Sequence, residues 1–185
     1  MLAFGLMNGG YASMLAWLAP HYQELGWSAA QSGTLVALLS IAQAAAALLL
    51  PVLAARGGPD RRPWLWFTLG CQALGFALLA MAPLAAPLAT AIVLGVGLGG
   101  CFTFFMLVAL DHLRAPLQAG ALNALMQGGG FLLSALPPWL MARLHQGGGG
   151  FSGGWWLQCA MALLVAVLVA RLAPTQYERV MQPPV

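Results

Sequence analysis

Residues Leu88–Leu110 read LATAIVLGVGLGGCFTFFMLVAL, an apolar run without one charged side chain, and they decide the class of fold. An α-helix rises 1.5 Å per residue, so about 20 residues cross the ~30 Å of bilayer hydrocarbon. This run is long enough. Five further apolar stretches flank it: about Leu2–Ala19, Gln31–Leu53, Trp64–Met81, Gln118–Leu144 and Trp155–Leu172. The pattern predicts an all-α membrane protein, with six transmembrane helices over residues 1–172 and a polar, proline-containing tail over 173–185.

Composition points the same way. Of the 185 residues 61% are hydrophobic and 6% charged, too little polar surface to cover a water-soluble globule. The formal charge of +3 is carried by scattered arginines without a lysine, which does not make a nucleic-acid surface. Cys71, Cys101 and Cys159 each stand alone in a different apolar run, without metal-ligand spacing or a disulfide framework. They read as small apolar fillers. The sequence implies no metal and no cofactor.

The breaks between runs carry the turn chemistry. Pro20 ends the first run and opens a polar loop from His21 to Ser28. Arg56-Gly57-Gly58-Pro59-Asp60-Arg61-Arg62-Pro63 is the densest charge in the chain and a clear exit. Prolines 83 and 87 bracket the next break, and Asp111-His112-Leu113-Arg114-Ala115-Pro116 closes the fourth run. Gly147 to Gly154 reads as a glycine-rich loop before the last run. Tyr22, Trp27, Trp64, Trp66, Trp155 and Trp156 are suited to anchoring at the membrane interface.

Orientation follows from the arginines. With a cytoplasmic N-terminus, Arg56, Arg61, Arg62, Arg114, Arg171 and Arg179 lie inside and only Arg143 outside. The positive-inside rule therefore expects both termini in the cytoplasm. No basic leader or small-residue cleavage site precedes the first run, so it reads as a span.

Several stretches are familiar. Gly57, Asp60, Arg61 and Arg62 form a charged turn of the Gly-x-x-Asp-Arg-Arg type after the second run, though with a shorter Gly-to-Asp spacing. The chain thereby resembles one half of a major facilitator superfamily transporter. Leu15 to Pro20, Ser28 to Gly33, Leu110 to Arg114 continuing into Ala119 to Gly128, and Pro137 to Leu140 are more specific. Together they resemble the C-terminal half of the cyanate transporter family, which also includes nitroimidazole transporters. The resemblance covers essentially the whole chain. It implies a bacterial inner-membrane location, a small anionic or polar solute such as cyanate, and alternating access between two six-helix halves. It also implies an N-terminal half, or a second copy, as partner, and no transport by one copy alone.

In that architecture the first, second, fourth and fifth spans line the cavity. Polar side chains there are candidates, because an unpaired polar group in hydrocarbon costs free energy. Asn8 and Tyr11 stand three apart on the first span and share a face, as do Ser40 and Gln43 on the second. A serine hydroxyl commonly bonds back to its own helix, so Gln43 is the better candidate. Asn123 and Gln127, four apart on the fifth span, offer donors and acceptors to a small linear anion and form the strongest pair. Bonding between helices explains the same polar residues. Gly128-Gly129-Gly130 and Pro137-Pro138 weaken the ladder of that span and predict a kink or hinge. Gly95 and Gly99 have the spacing for close helix packing. Asp60, Arg61 and Arg62 read either as a latch between helices or as a topology signal.

Other classes fit less well. An intramembrane enzyme needs a nucleophile and base at membrane depth. Ser134 and the cysteines have no histidine there, because His21, His112 and His145 fall in loops. A non-transporting assembly subunit is the remaining alternative.

Overall fold

A computed structural model describes residues 1–57, 60–111 and 116–172. Gly58 and Pro59 of the charged turn, His112 to Ala115, and the tail with Arg179 lie outside the described residues.

The first helix, α1 (Leu2–Glu24), does not stop at Pro20. A proline costs one backbone hydrogen bond, and α1 runs a further turn past it before Gly26, at φ 91°, reverses the chain. Helix α2 (Ala29–Ala54) begins on a capping box: Ser28 Oγ accepts from the Gln31 N–H, and Gln31 Oε1 accepts from the Ser28 N–H. It closes on a 3-10 turn, Ala55–Gly57. Helices α3 (Arg62–Met81) and α4 (Pro87–Asp111) follow.

The fifth apolar stretch is two helices, α5 (Pro116–Leu133) and α6 (Leu136–Leu144), separated at Ser134 and Ala135. The helix passes through Gly128-Gly129-Gly130 unbroken. Away from water a helix has no other partner for its backbone groups, so glycine's freedom alone does not break it. Pro137 and Pro138 instead stand in the first turn of α6, where a missing N–H costs nothing. A wide turn, His145–Gly149, leads to α7 (Gly150–Val169). Gly153 and Gly154 are thus helical rather than loop, and the helix ends at Val169 instead of Leu172.

Helix α4 is the hub. Its Gly95 and Gly99 meet the α2 backbone at Leu39 and Gln43, while Gly97 and Gly100 meet α3 at Thr68 and Gln72. Close packing is therefore what these glycines do. Gln72 Nε2 donates to the Gly97 carbonyl at 3.1 Å inside the α3–α4 seam. Helix α1 lies along α5 and α6 in the same direction: Met1 meets Gly129, Gly5 meets Gly130 and Leu133, and Gly9 meets Pro137. Helix α7 packs on α1 and α3, where Gln158 Nε2 donates to Ser13 Oγ at 2.6 Å.

Two of the expected interface anchors are core residues instead: Trp155 and Tyr22 are fully buried. The rings of Phe76, Trp155, His21 and Phe151 pack together at one end of the bundle, while Phe4, Phe102, Phe105 and Phe131 pack farther down. Large apolar side chains such as Ile41, Leu48, Leu117, Leu132 and Val167 face outward, the reverse of a water-soluble protein. Four stretches are long and apolar enough to cross a membrane: Ala29–Ala54, Arg62–Met81, Pro87–Asp111 and Pro116–Val169, the last holding α5 to α7.

Candidate solute path

The five polar candidates divide by depth. Asn8 is buried on α1, and Tyr11, a turn farther along, is half-buried beside the aromatic cluster. Gln43 is half-buried on α2, its backbone against Gly99. Ser40 bonds back to the Val36 carbonyl at 2.9 Å, which removes it as a free hydroxyl. Since Gly9 lies beside Pro137, Asn8 stands level with the start of α6. Asn123 lies about 13 residues earlier on the same continuous path, hence ~20 Å toward the other end. Asn8 and Asn123 therefore do not share one binding shell.

Asn123 and Gln127 are half-buried on α5, whose buried face is Ala119, Met126 and Gly130. Asn123 Oδ1 is buried without a hydrogen-bond partner. A buried carbonyl left unpaired costs about 1–3 kcal/mol, so this atom is one to which a donor would be drawn. No hydrogen bond among the described residues joins Asn8, Tyr11, Gln43, Asn123 or Gln127 to one another.

The glycines of α5 differ. Gly129 and Gly130 are seats for Met1 and Phe4, whereas Gly128 has open space around it. The break that does occur, at Ser134 and Ala135, leaves the Ser134 hydroxyl bonded to the Phe131 carbonyl at 2.8 Å. That hydroxyl is engaged in the turn.

At the charged end, Arg62 grips Asp60 through Nε and Nη2, at 2.7 Å for the shortest contact, and the Arg62 N–H adds a bond at 3.0 Å. These hydrogen bonds from Arg62 hold the Asp60 carboxyl below its usual range. Arg61 Nε reaches Asp111 Oδ2 at 3.3 Å and ties the start of α3 to the end of α4. His112 and Arg114 lie outside the described residues.

Sequence reasoning missed two features. The Ser13–Gln158 contact joins α1 to α7, and the visible signal was a glutamine inside an otherwise apolar run. At the opposite end from the charged turn, His145 Nε2 stands 3.2 Å from Glu24 Oε1. His21, expected in a loop, is a buried helical residue against Phe151 and Trp155.

An all-helical bundle with an apolar exterior, close glycine seams and isolated polar groups within is a polytopic membrane protein. It belongs to the Major Facilitator Superfamily, whose sequence profile matches residues 1–184. The chain is 41% identical over 174 residues to the cyanate transport protein CynX of Escherichia coli (strain K12), covering 94% of this chain and 45% of that protein. It is 31% identical over 168 residues to the 2-nitroimidazole transporter of the same organism, covering 90% of this chain and 42% of that protein. The chain thus spans less than half the length of these curated relatives. No solved structure matches it. Both of these relatives are transport proteins by name.

Proposed function

We propose that the chain is the C-terminal, six-span half of a secondary transporter that moves a small anionic or polar solute, such as cyanate, across the bacterial inner membrane. Both termini face the cytoplasm in this reading. Access alternates as this half rocks against an N-terminal six-helix half, or against a second copy. The observation that carries the site is the unpartnered, buried Oδ1 of Asn123, one helical turn from Gln127.

The open Oδ1 is an acceptor and engages a donor on a polar solute, while the amide N–H groups of Asn123 and Gln127 can donate to an anion without carrying charge themselves. Asn8, Tyr11 and Gln43 line a second level of the path. The break at Ser134 and Ala135, followed by Pro137 and Pro138, provides the flexible point of the fifth span; Gly128, with space around it, extends that freedom. The bond between Arg61 and Asp111, beside the Asp60–Arg62 pair, steadies the cytoplasmic ends of α3 and α4 while the halves move.

Replacing Asn123 by Leu and Gln127 by Met in the assembled two-half transporter tests the site. Uptake of labelled cyanate should fall at least tenfold while membrane abundance stays level. Unchanged KM and Vmax would remove both residues from the path. The alternative reading is a membrane assembly subunit without transport. Failure of every half-pairing to take up solute would select it.

A further inference from the structure

Helix α6 joins the rest of the bundle through a weak point at each end. On its N-terminal side the helix is broken at Ser134 and Ala135, where the Ala135 N–H makes only a long bond, 3.4 Å, to the Leu132 carbonyl. On its C-terminal side the wide turn His145–Gly149 holds Gly148 at φ 87°, and α7 opens on Gly150 at φ 58°. Glycine adopts these left-handed conformations without strain. A Cβ at Gly147, Gly148 or Gly150 would meet nothing within 4 Å, so no side chain packs down on the turn.

Between these points α6 is held lightly. Of its nine residues only Pro137 and Met141 are buried, Pro137 against Gly9 of α1 and Met141 against Gly154 of α7. Two polar ties add to them, both onto α1. Trp17 Nε1 donates to the Pro138 carbonyl at 3.1 Å, and His145 Nε2, just past the end of α6, stands 3.2 Å from Glu24 Oε1. The His145 ring also stacks on Phe151, with centroids 4.3 Å apart. The imidazole and the Glu24 carboxylate are both partly exposed, so water competes for them and the contact is easily exchanged. The α2–α4 seam differs, because there Gly95 and Gly99 meet backbone, which cannot give way.

We propose that α6 is a rigid lever that swings off α1 about the Ser134–Ala135 break and the Gly148–Gly150 turn, with the Glu24–His145 contact as its latch. The swing carries Pro137 away from Gly9 and uncovers α1 at the level of the buried Asn8. A short helix with a hinge at each end and its polar ties at exposed positions moves as one piece while α1, α3, α4 and α7 stay packed. That the lever gates the solute path, at the end opposite the charged turn, rests on the reading of this chain as part of a transporter.

The test measures distance across that end of the full chain in nanodiscs, with the three native cysteines changed to Ala and spin labels at Ala85→Cys and Gln146→Cys, both exposed positions. The lever gives two distances. Glu24→Ala should raise the share of the longer one by about two- to fivefold, the range for a partly exposed polar pair. Trp17→Phe should raise it further. A label pair on the fixed part of the bundle, Ala85→Cys with Leu25→Cys, should give one distance in every variant. A single Ala85–Gln146 distance, or a distribution that Glu24→Ala leaves unchanged, overturns the lever. So does a shift of the Ala85–Leu25 pair, which would mean that the whole end loosens. A disulfide between Glu24→Cys and His145→Cys locks the lever and should stop uptake by the assembled halves until it is reduced; full uptake in the locked state overturns the gating role. Two distances without uptake by any unlocked half-pairing would reject the transporter reading and leave the lever standing.

Discussion

A methyl group added at Gly99 would overlap the carbonyl and Cα of Gln43, and backbone cannot move aside as a flexible side chain can. At Gly128 the same methyl meets nothing within 4 Å. Two glycines alike in sequence therefore differ in what they do. Gly99→Val should force α2 from α4 and lower stability by about 1–3 kcal/mol, the range for overpacked cores. Gly128→Ala should be neutral or stabilising by about 0.5–1 kcal/mol, because it restricts the unfolded chain without a clash. Thermal unfolding in detergent, followed by circular dichroism, separates the two. A Gly99→Val protein with an unchanged midpoint would mean that the α2–α4 seam is looser than its contacts imply. Among polar residues, the sequence made Asn123 and Asn8 equal in kind but could not say that ~20 Å of helix separates them. That distance is set by the α1–α5 register, a tertiary contact through Gly5 and Gly9 that no local pattern announces.

Helix ends were legible where chemistry is strong and misread where it is weak. The charged turn before α3, and Pro87 and Pro116 at the starts of α4 and α5, stand at boundaries because charge and a missing N–H act locally. Pro20 misled for a physical reason. In an apolar surround the helix retains its hydrogen bonds, so a single proline or a glycine run is too weak to end it. The burial of Trp155 and Tyr22 was not legible, since an aromatic near a span end suits an interface and a helix crossing equally. The α5–α6 break has a testable cause. Changing Pro137 and Pro138 together to Ala restores two N–H groups and lets the helices join across Ser134 and Ala135. Stability should change by no more than ~1 kcal/mol, as both prolines occupy a first turn where they cost little. Uptake by the assembled transporter should slow severalfold with KM unchanged. Full-rate uptake would show that the break is only a static bend.

The whole bundle presents a one-sided problem. Of the α5 residues only Ala119, Met126 and Gly130 are buried, and α2 buries five of its 26 residues, whereas α4 buries about half of its length. Two long helices thus keep most of their surface outside the bundle. Alternating access needs two bodies whose facing surfaces take turns closing at either side of the membrane. In the proposed reading a single copy supplies one such body, with no opposing wall for Asn123 and Gln127. Purified chain reconstituted as single copies in liposomes should therefore give no saturable uptake of labelled cyanate above protein-free vesicles. Co-reconstitution with an N-terminal half should restore uptake that saturates and that the Asn123→Leu, Gln127→Met double variant removes. Raising the protein-to-lipid ratio distinguishes the other pairing: uptake that grows with the square of chain density identifies two copies as the working unit. Saturable uptake that stays linear in chain density at high dilution would show that one copy forms a closed path alone, and the two-body mechanism would fail.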